Sequence, residues 1–84
     1  MGNYFLDGAQ VICQAHGNFG RGNNDEIIVK LALARYDDWK DVVYLFACNA
    51  EDVVVGDLQY SSVDGAKRDA LRFYDMDEIL WRDV

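Results

Sequence analysis

Asp7-Gly8 constrains the fold of this chain more than any other pair of residues. It separates NYFL, residues 3–6, from AQVICQAH, residues 9–16. Glycine tolerates the positive φ of a type I′ turn, so the pair predicts a two-residue hairpin and two antiparallel strands. Strict alternation along the second strand points Val11, Cys13 and Ala15 one way and Gln10, Ile12, Gln14 and His16 the other.

Beyond the hairpin lies HGNFGRGNNDE, residues 16–26, with a Gly/Asn-rich loop at 17–24. Its glycines are spaced G-x-x-G-x-G, which matches neither the dinucleotide G-x-G-x-x-G nor a P-loop. Arg21 is its single cation, and Asp25 and Glu26 close its far end against an anion. The loop reads as a connection whose Gly and Asn residues permit left-handed backbone. Phe19 and Arg21 are candidates for an exposed pair that touches a partner.

NDEIIVKLALARY, residues 24–36, admits two readings. Asn24 as N-cap, acids in the first turn, a Glu26–Lys30 i,i+4 pair and helix-forming Leu, Ala, Lys and Arg favour a helix. Ile27, Ile28 and Val29 favour a strand. The helix is the expectation. DVVYLFACN, residues 41–49, is β-branched and aromatic and reads as a buried strand, although Trp39, Val42, Val43, Phe46 and Ala47 also fit a helical stripe. NAED, residues 49–52, is expected to turn, and a strand then runs from VVV at 53–55 towards Leu58 and Tyr60.

The remainder reads as helical. Ser61 with Asp64 resembles a capping box, and Ala66, Ala70 and Phe73 fall on one face. Asp75 with Glu78 offers a second cap before Ile79, Leu80 and Trp81, so one long helix and two short ones divided near Asp75 are both open. The expected fold is α+β: a small single domain over 1–84, with an antiparallel sheet, two or three helices and a helical C-terminal part.

At 84 residues the chain has room for one core, and no run approaches the roughly 18 apolar residues of a membrane span. With no basic leader pattern either, a cytoplasmic protein is expected. Cys13 and Cys48, 35 residues apart in apolar surroundings, read as two buried thiols, with one disulfide as the alternative.

Charge is the strongest global signal. Fifteen acids oppose eight bases, a net of −7, and twelve of the acids are Asp. Residues 1–36 balance, so the whole excess lies in 37–84. Such a field repels nucleic acid and attracts basic partners. Asp37, Asp38 and Asp41 surround Trp39, and Asp75, Asp77 and Glu78 precede Trp81. Each cluster sets carboxylates beside an aromatic face, a combination suited to Arg and Lys. Neither matches a calcium loop.

Catalytic and metal patterns are thin. Cys13-x-x-His16 has ligand-like spacing, but a strand would turn the two to opposite faces, and a structural zinc needs a second ligand pair. His16 with Cys48 is the remaining nucleophile pairing. The expected function is therefore a non-enzymatic, cofactor-free protein-binding domain. It would act as an inhibitor or adaptor against a basic protein, a class that includes nucleic-acid-binding proteins met by phosphate mimicry. The alternatives are a small enzyme or ligand-binding domain centred on His16, Cys48 and the Gly-rich loop, and a structural homo-oligomeric subunit built on the apolar runs 42–48 and 53–55.

Overall fold

The computed structural model describes residues 4–22 and 25–84. Asn3 of the first segment and Asn24, the expected N-cap, lie outside them. The elements in order are β1 (Phe5–Leu6), β2 (Ala9–His16), β3 (Lys30–Tyr36), β4 (Trp39–Cys48), β5 (Val54–Tyr60), α1 (Val63–Phe73) and β6 (Arg82–Asp83). β1 to β5 form an antiparallel meander in chain order, curled into a half-barrel, and β6 returns to pair with β2.

The Asp7-Gly8 hairpin is present. Both residues have positive φ, 50° and 83°, as a type I′ turn requires, and Leu6 pairs with Ala9. The register then corrects the simple alternation of β2. Val11 pairs with Ala34 but Cys13 pairs with Leu33, so Ile12 is the extra residue of a β-bulge. Ala9 and Val11 consequently pack on one side of the sheet, and Cys13 and Ala15 on the other.

Residues 30–36 form the central strand β3, not a helix. β3 lies between β2 and β4 and is covered on both sides, so its apolar residues run continuously where a surface strand would alternate. Leu31 and Leu33 face the helix side, and Ala32 and Ala34 the opposite side, all four with no exposure. Burial on two faces outweighs the helix propensity of Leu and Ala. The expected Glu26–Lys30 pair is replaced as well: Lys30 bonds Asp52, and Glu26 accepts from Asn49 Nδ2 at 3.3 Å.

α1 is the single helix among the described residues, which corrects the expected two or three. Its N-cap is Ser62, one residue later than expected, with Oγ accepting from Gly65 N–H at 3.0 Å. Ala66 and Ala70 press against the sheet, while Phe73 points to solvent. The helix stops because Asp75 takes a left-handed φ of 54°. Met76 N–H then bonds Leu71 C=O at 2.8 Å and Asp75 N–H bonds Arg72 C=O at 3.2 Å, the paired bonds of a Schellman stop. Residues 75–81 therefore run as irregular chain into β6, and no helical C-terminal part exists.

The sheet has two differently covered faces. On the helix side, Leu31, Leu33, Val43 and Leu45 meet α1 and the returning segment with Met76, Ile79 and Trp81. Each large aliphatic side chain buried there contributes about 2 kcal/mol. On the other side, Leu6, Ala9, Val11, Ala32, Ala34, Phe46 and Cys48 are covered only by side chains of the sheet and its flanks, chiefly Tyr4, Tyr36, Tyr44 and Val54. Cys13 and Cys48 are free, buried and on opposite faces, so they cannot bond to each other within the chain.

Candidate functional site

The face without a helix gathers the polar and aromatic groups. At one end the chain reverses through Asp37-Asp38, which brings Tyr36 opposite Trp39. The two rings meet edge to face at 5.6 Å. Tyr36 meets Tyr44 in the same way at 5.3 Å, and Tyr44 stacks on Phe46 at 5.9 Å. The result is a row, Trp39–Tyr36–Tyr44–Phe46, that passes from solvent into the core. Trp39 is 57% exposed and Phe46 only 2%. Small residues make the row possible: Ala32 and Ala34 of β3 give the rings a low floor.

The hydroxyls of the row are tied down. Tyr36 donates to the Asp7 carbonyl at 2.9 Å, which fixes the β1–β2 turn against β3. Gln59 Nε2 donates to the Tyr44 hydroxyl at 2.9 Å across from β5. Partial burial, with the charges of Asp7, Tyr44 and Asp57, raises the Tyr36 hydroxyl above its ordinary pKa. Asp7, Asp37, Asp38, Asp41 and Asp57 all have exposed side chains. This end of the face is thus an aromatic row rimmed by carboxylates.

The other end is different. Lys30 is 5% exposed, and its Nζ donates to both the Tyr4 hydroxyl and Asp52 Oδ1. Tyr4 in turn donates to Asp52 Oδ2 at 2.7 Å, and Nζ lies 4.8 Å from the Tyr4 ring centroid. Burial alone would depress the Lys30 pKa, but the bonds to Asp52 and Tyr4 outweigh it and the net shift is upward. The same bonds, that from Lys30 first, hold the Asp52 carboxyl below its usual range. The group is a closed ion pair. Asp52 reaches it from a hairpin loop organised by Asn49, whose Oδ1 accepts from Glu51 and Val53 N–H at 2.9 and 3.0 Å.

The expected site residues separate on this frame. Asp37, Asp38, Trp39 and Asp41 stand together on the β3–β4 hairpin. Asp75 terminates α1, while Asp77 and Glu78 border a groove with Lys67 and Arg68, so the second cluster is partly set against cations. Phe19 is not exposed: it is 6% accessible and packs edge to face on Tyr74 at 5.8 Å. Arg21 is exposed and pairs with Asp25 at 3.3 Å.

Residues 17–22 of the Gly/Asn-rich segment pair back on residues 26–29. Phe19 N–H bonds Ile28 C=O, Ile28 N–H bonds Gly20 C=O, and Gly22 N–H bonds Glu26 C=O. Gly17 N–H is likewise taken by Val29 C=O, and Gly20 N–H by the Asn18 side chain at 3.2 Å. These amides are spent within the chain and do not form an anion nest.

His16 and Cys48 do not form a nucleophile pair. In the register His16 pairs with Lys30, and Lys30 pairs with Cys48, so Lys30 stands between them across two strand spacings, roughly 10 Å. Burial pushes the Cys48 thiol up to about 11, which keeps it protonated at neutral pH. No group of three or more metal-ligating side chains occurs among the described residues. No helix among them is long and apolar enough to cross a membrane.

Sequence reasoning located the carboxylates around Trp39 but missed Asp7, Tyr44, Asp57 and Gln59. Their contribution depends on strand register, and alternation along β4 and β5 was the available signal. No protein-family model matches the chain, and no match is found among curated proteins or solved structures.

Proposed function

We propose that the chain is a protein-binding domain that offers the Trp39–Tyr36–Tyr44 row and its carboxylate rim to a partner with a basic surface. The observation that carries this reading is Trp39. Its ring packs edge to face on Tyr36 at 5.6 Å yet is 57% exposed, so it has an aromatic support without being covered. Such a ring gives contact area to a partner at small entropic cost, and Arg or Lys would meet both the ring face and a nearby carboxylate. The net charge of −7 favours encounter with a basic protein and disfavours phosphate. Proteins whose basic surface ordinarily meets nucleic acid fall within the partner class.

The test uses Trp39 as its own reporter, with Trp81→Phe removing the other tryptophan. An arginine-rich peptide is titrated at low and high salt. Binding should shift Trp39 emission and weaken as salt rises. Trp39→Ala, followed by calorimetry, should weaken it about tenfold or more. Affinity unaltered by Trp39→Ala and by Asp37→Asn with Asp38→Asn and Asp57→Asn would overturn the reading.

A further inference from the structure

The two lateral edges of the sheet are finished differently. On the β2 edge, β1 pairs with residues 9–10 and β6 with residues 13–14, and Val84 N–H reaches the Ile12 carbonyl at 3.2 Å. β5 has β4 on one side and no strand on the other among the described residues. Its sequence, VVGDLQY, contains neither Lys nor Pro; a bulge at Val55 interrupts its first residues, and from Gly56 to Tyr60 it is regular.

Beside this edge lies a cavity of about 220 Å³. Leu45, Val55, Leu58 and Tyr74 line it, Arg21 borders it, and the exposed Phe73 stands at its rim. Gly56 also faces it, so one position of the edge strand carries no side chain. The opposite side of β5 is polar. Asp57, which also borders the cavity, and Gln59 are exposed there, beside the aromatic row. A strand laid along β5 would project alternate side chains to these two sides, one set towards the cavity and one towards Asp57.

We propose that an extended basic segment of a partner protein adds to the sheet along β5, with an apolar side chain in this cavity and Lys or Arg beside Asp57. The inference rests on the reading of the chain as a protein-binding domain and specifies the shape of the partner. Backbone hydrogen bonds along the edge supply affinity, and the cavity and Asp57 supply selectivity. A second copy of the chain fits less well. The register that pairs all of residues 54–60 with themselves sets Asp57 directly opposite Asp57, between two molecules each of charge −7. A basic residue opposite Asp57 forms a cross-strand ion pair instead.

The probe is a synthetic peptide of alternating Lys and Val with a central Phe, followed by amide NMR of the full chain. Amides of residues 54–60 should shift and exchange more slowly. The same peptide N-methylated at alternate residues should bind about tenfold more weakly or worse, since it cannot complete the ladder. Gly56→Val tests the cavity: among the described residues a Cβ there meets the Ala47 Cβ alone, at 3.8 Å, so the backbone admits a side chain, whose methyls would extend into the space. That variant should keep the melting temperature and lose about tenfold or more in affinity. Asp57→Lys, at an exposed position, should transfer preference to a Glu/Val peptide. Unresponsive amides at 54–60, or equal binding of the N-methylated peptide, overturn the proposal. Shifts confined to Tyr36, Trp39 and Tyr44 would overturn it and leave the broader reading standing, whereas shifts nowhere would sink both. A dimer in light scattering that Gly56→Val abolishes would assign the edge to a second copy and overturn it too.

Discussion

The two faces of the sheet use the same strands for different ends. Leu45 and Tyr44 are neighbours on β4, yet Leu45 is sealed beneath α1 and Tyr44 lies half-buried on the face that no helix covers. The helix side is held by aliphatic packing between segments distant in sequence. The other side is held by aromatic rings lying over small residues, with each hydroxyl bound. Such a surface stays ordered without a cover, which is what a binding face requires.

The sharpest way to break this comparison is to truncate the two neighbours. Leu45→Ala should lose about 3–4 kcal/mol in urea unfolding, and Tyr44→Ala about 1 kcal/mol. Equal losses would mean that the open face carries as much of the fold as the helix side.

A smaller effect tests the ion pair at the far end of the open face. Asp52→Ala leaves the Lys30 charge buried with only Tyr4 beside it, and should cost about 2 kcal/mol, discounted because Asp52 is half exposed. Adding Lys30→Met should recover most of that loss. The pH dependence follows from both shifts. Asp52 is depressed, so its contribution is present above the ordinary carboxylate range and fades as pH falls through its lowered value. Lys30 is raised, so its contribution is complete below the ordinary lysine range and fades as pH rises through its higher value. The gap in melting temperature between wild type and Asp52→Ala should be widest between about pH 4 and 10 and close at both ends. A gap that is flat with pH would dissociate the pair from stability.

On the helix side, Asp75 holds a left-handed backbone that glycine adopts without strain. Asp75→Gly should add about 0.5–1 kcal/mol. The smallest effect belongs to Trp39→Ala, which should alter stability by less than about 0.5 kcal/mol while weakening peptide binding. A large loss of stability would make Trp39 structural.

Much of the meander was legible. The Asp7-Gly8 turn, the turn at 49–52 and strands β4 and β5 follow from turn chemistry and β-branched or aromatic runs. β3 was not legible, because a strand buried on both sides shows no alternation, and its Leu and Ala residues are equally good in helices. A break near Asp75 was legible from its cap pattern, but the chain beyond it runs irregularly into β6 and forms no second helix.

The acids serve the backbone as well as the charge: Asp7, Asp25, Asp52 and Asp75 all have φ between 50° and 64°. Twelve Asp against three Glu was the available clue: the two acids carry equal charge, but Asp is the better residue for left-handed turns. Trp39 and its carboxylates could be found in the sequence. The partners of Tyr44 and the exposed edge of β5 required the register.

The bulge at Ile12 makes the tolerance of β2 to a lost residue depend on where the residue is lost. Because of it, one strand supplies Val11 to one core and Cys13 to the other. Loss of the Ile12 codon would leave Val11 and Cys13 adjacent, still opposite Ala34 and Leu33 and still on opposite faces. Loss of the Gln14 codon would instead turn Cys13 to the other face or shift one half of the strand by a residue. Deletion of Ile12 should therefore be far better tolerated than deletion of Gln14.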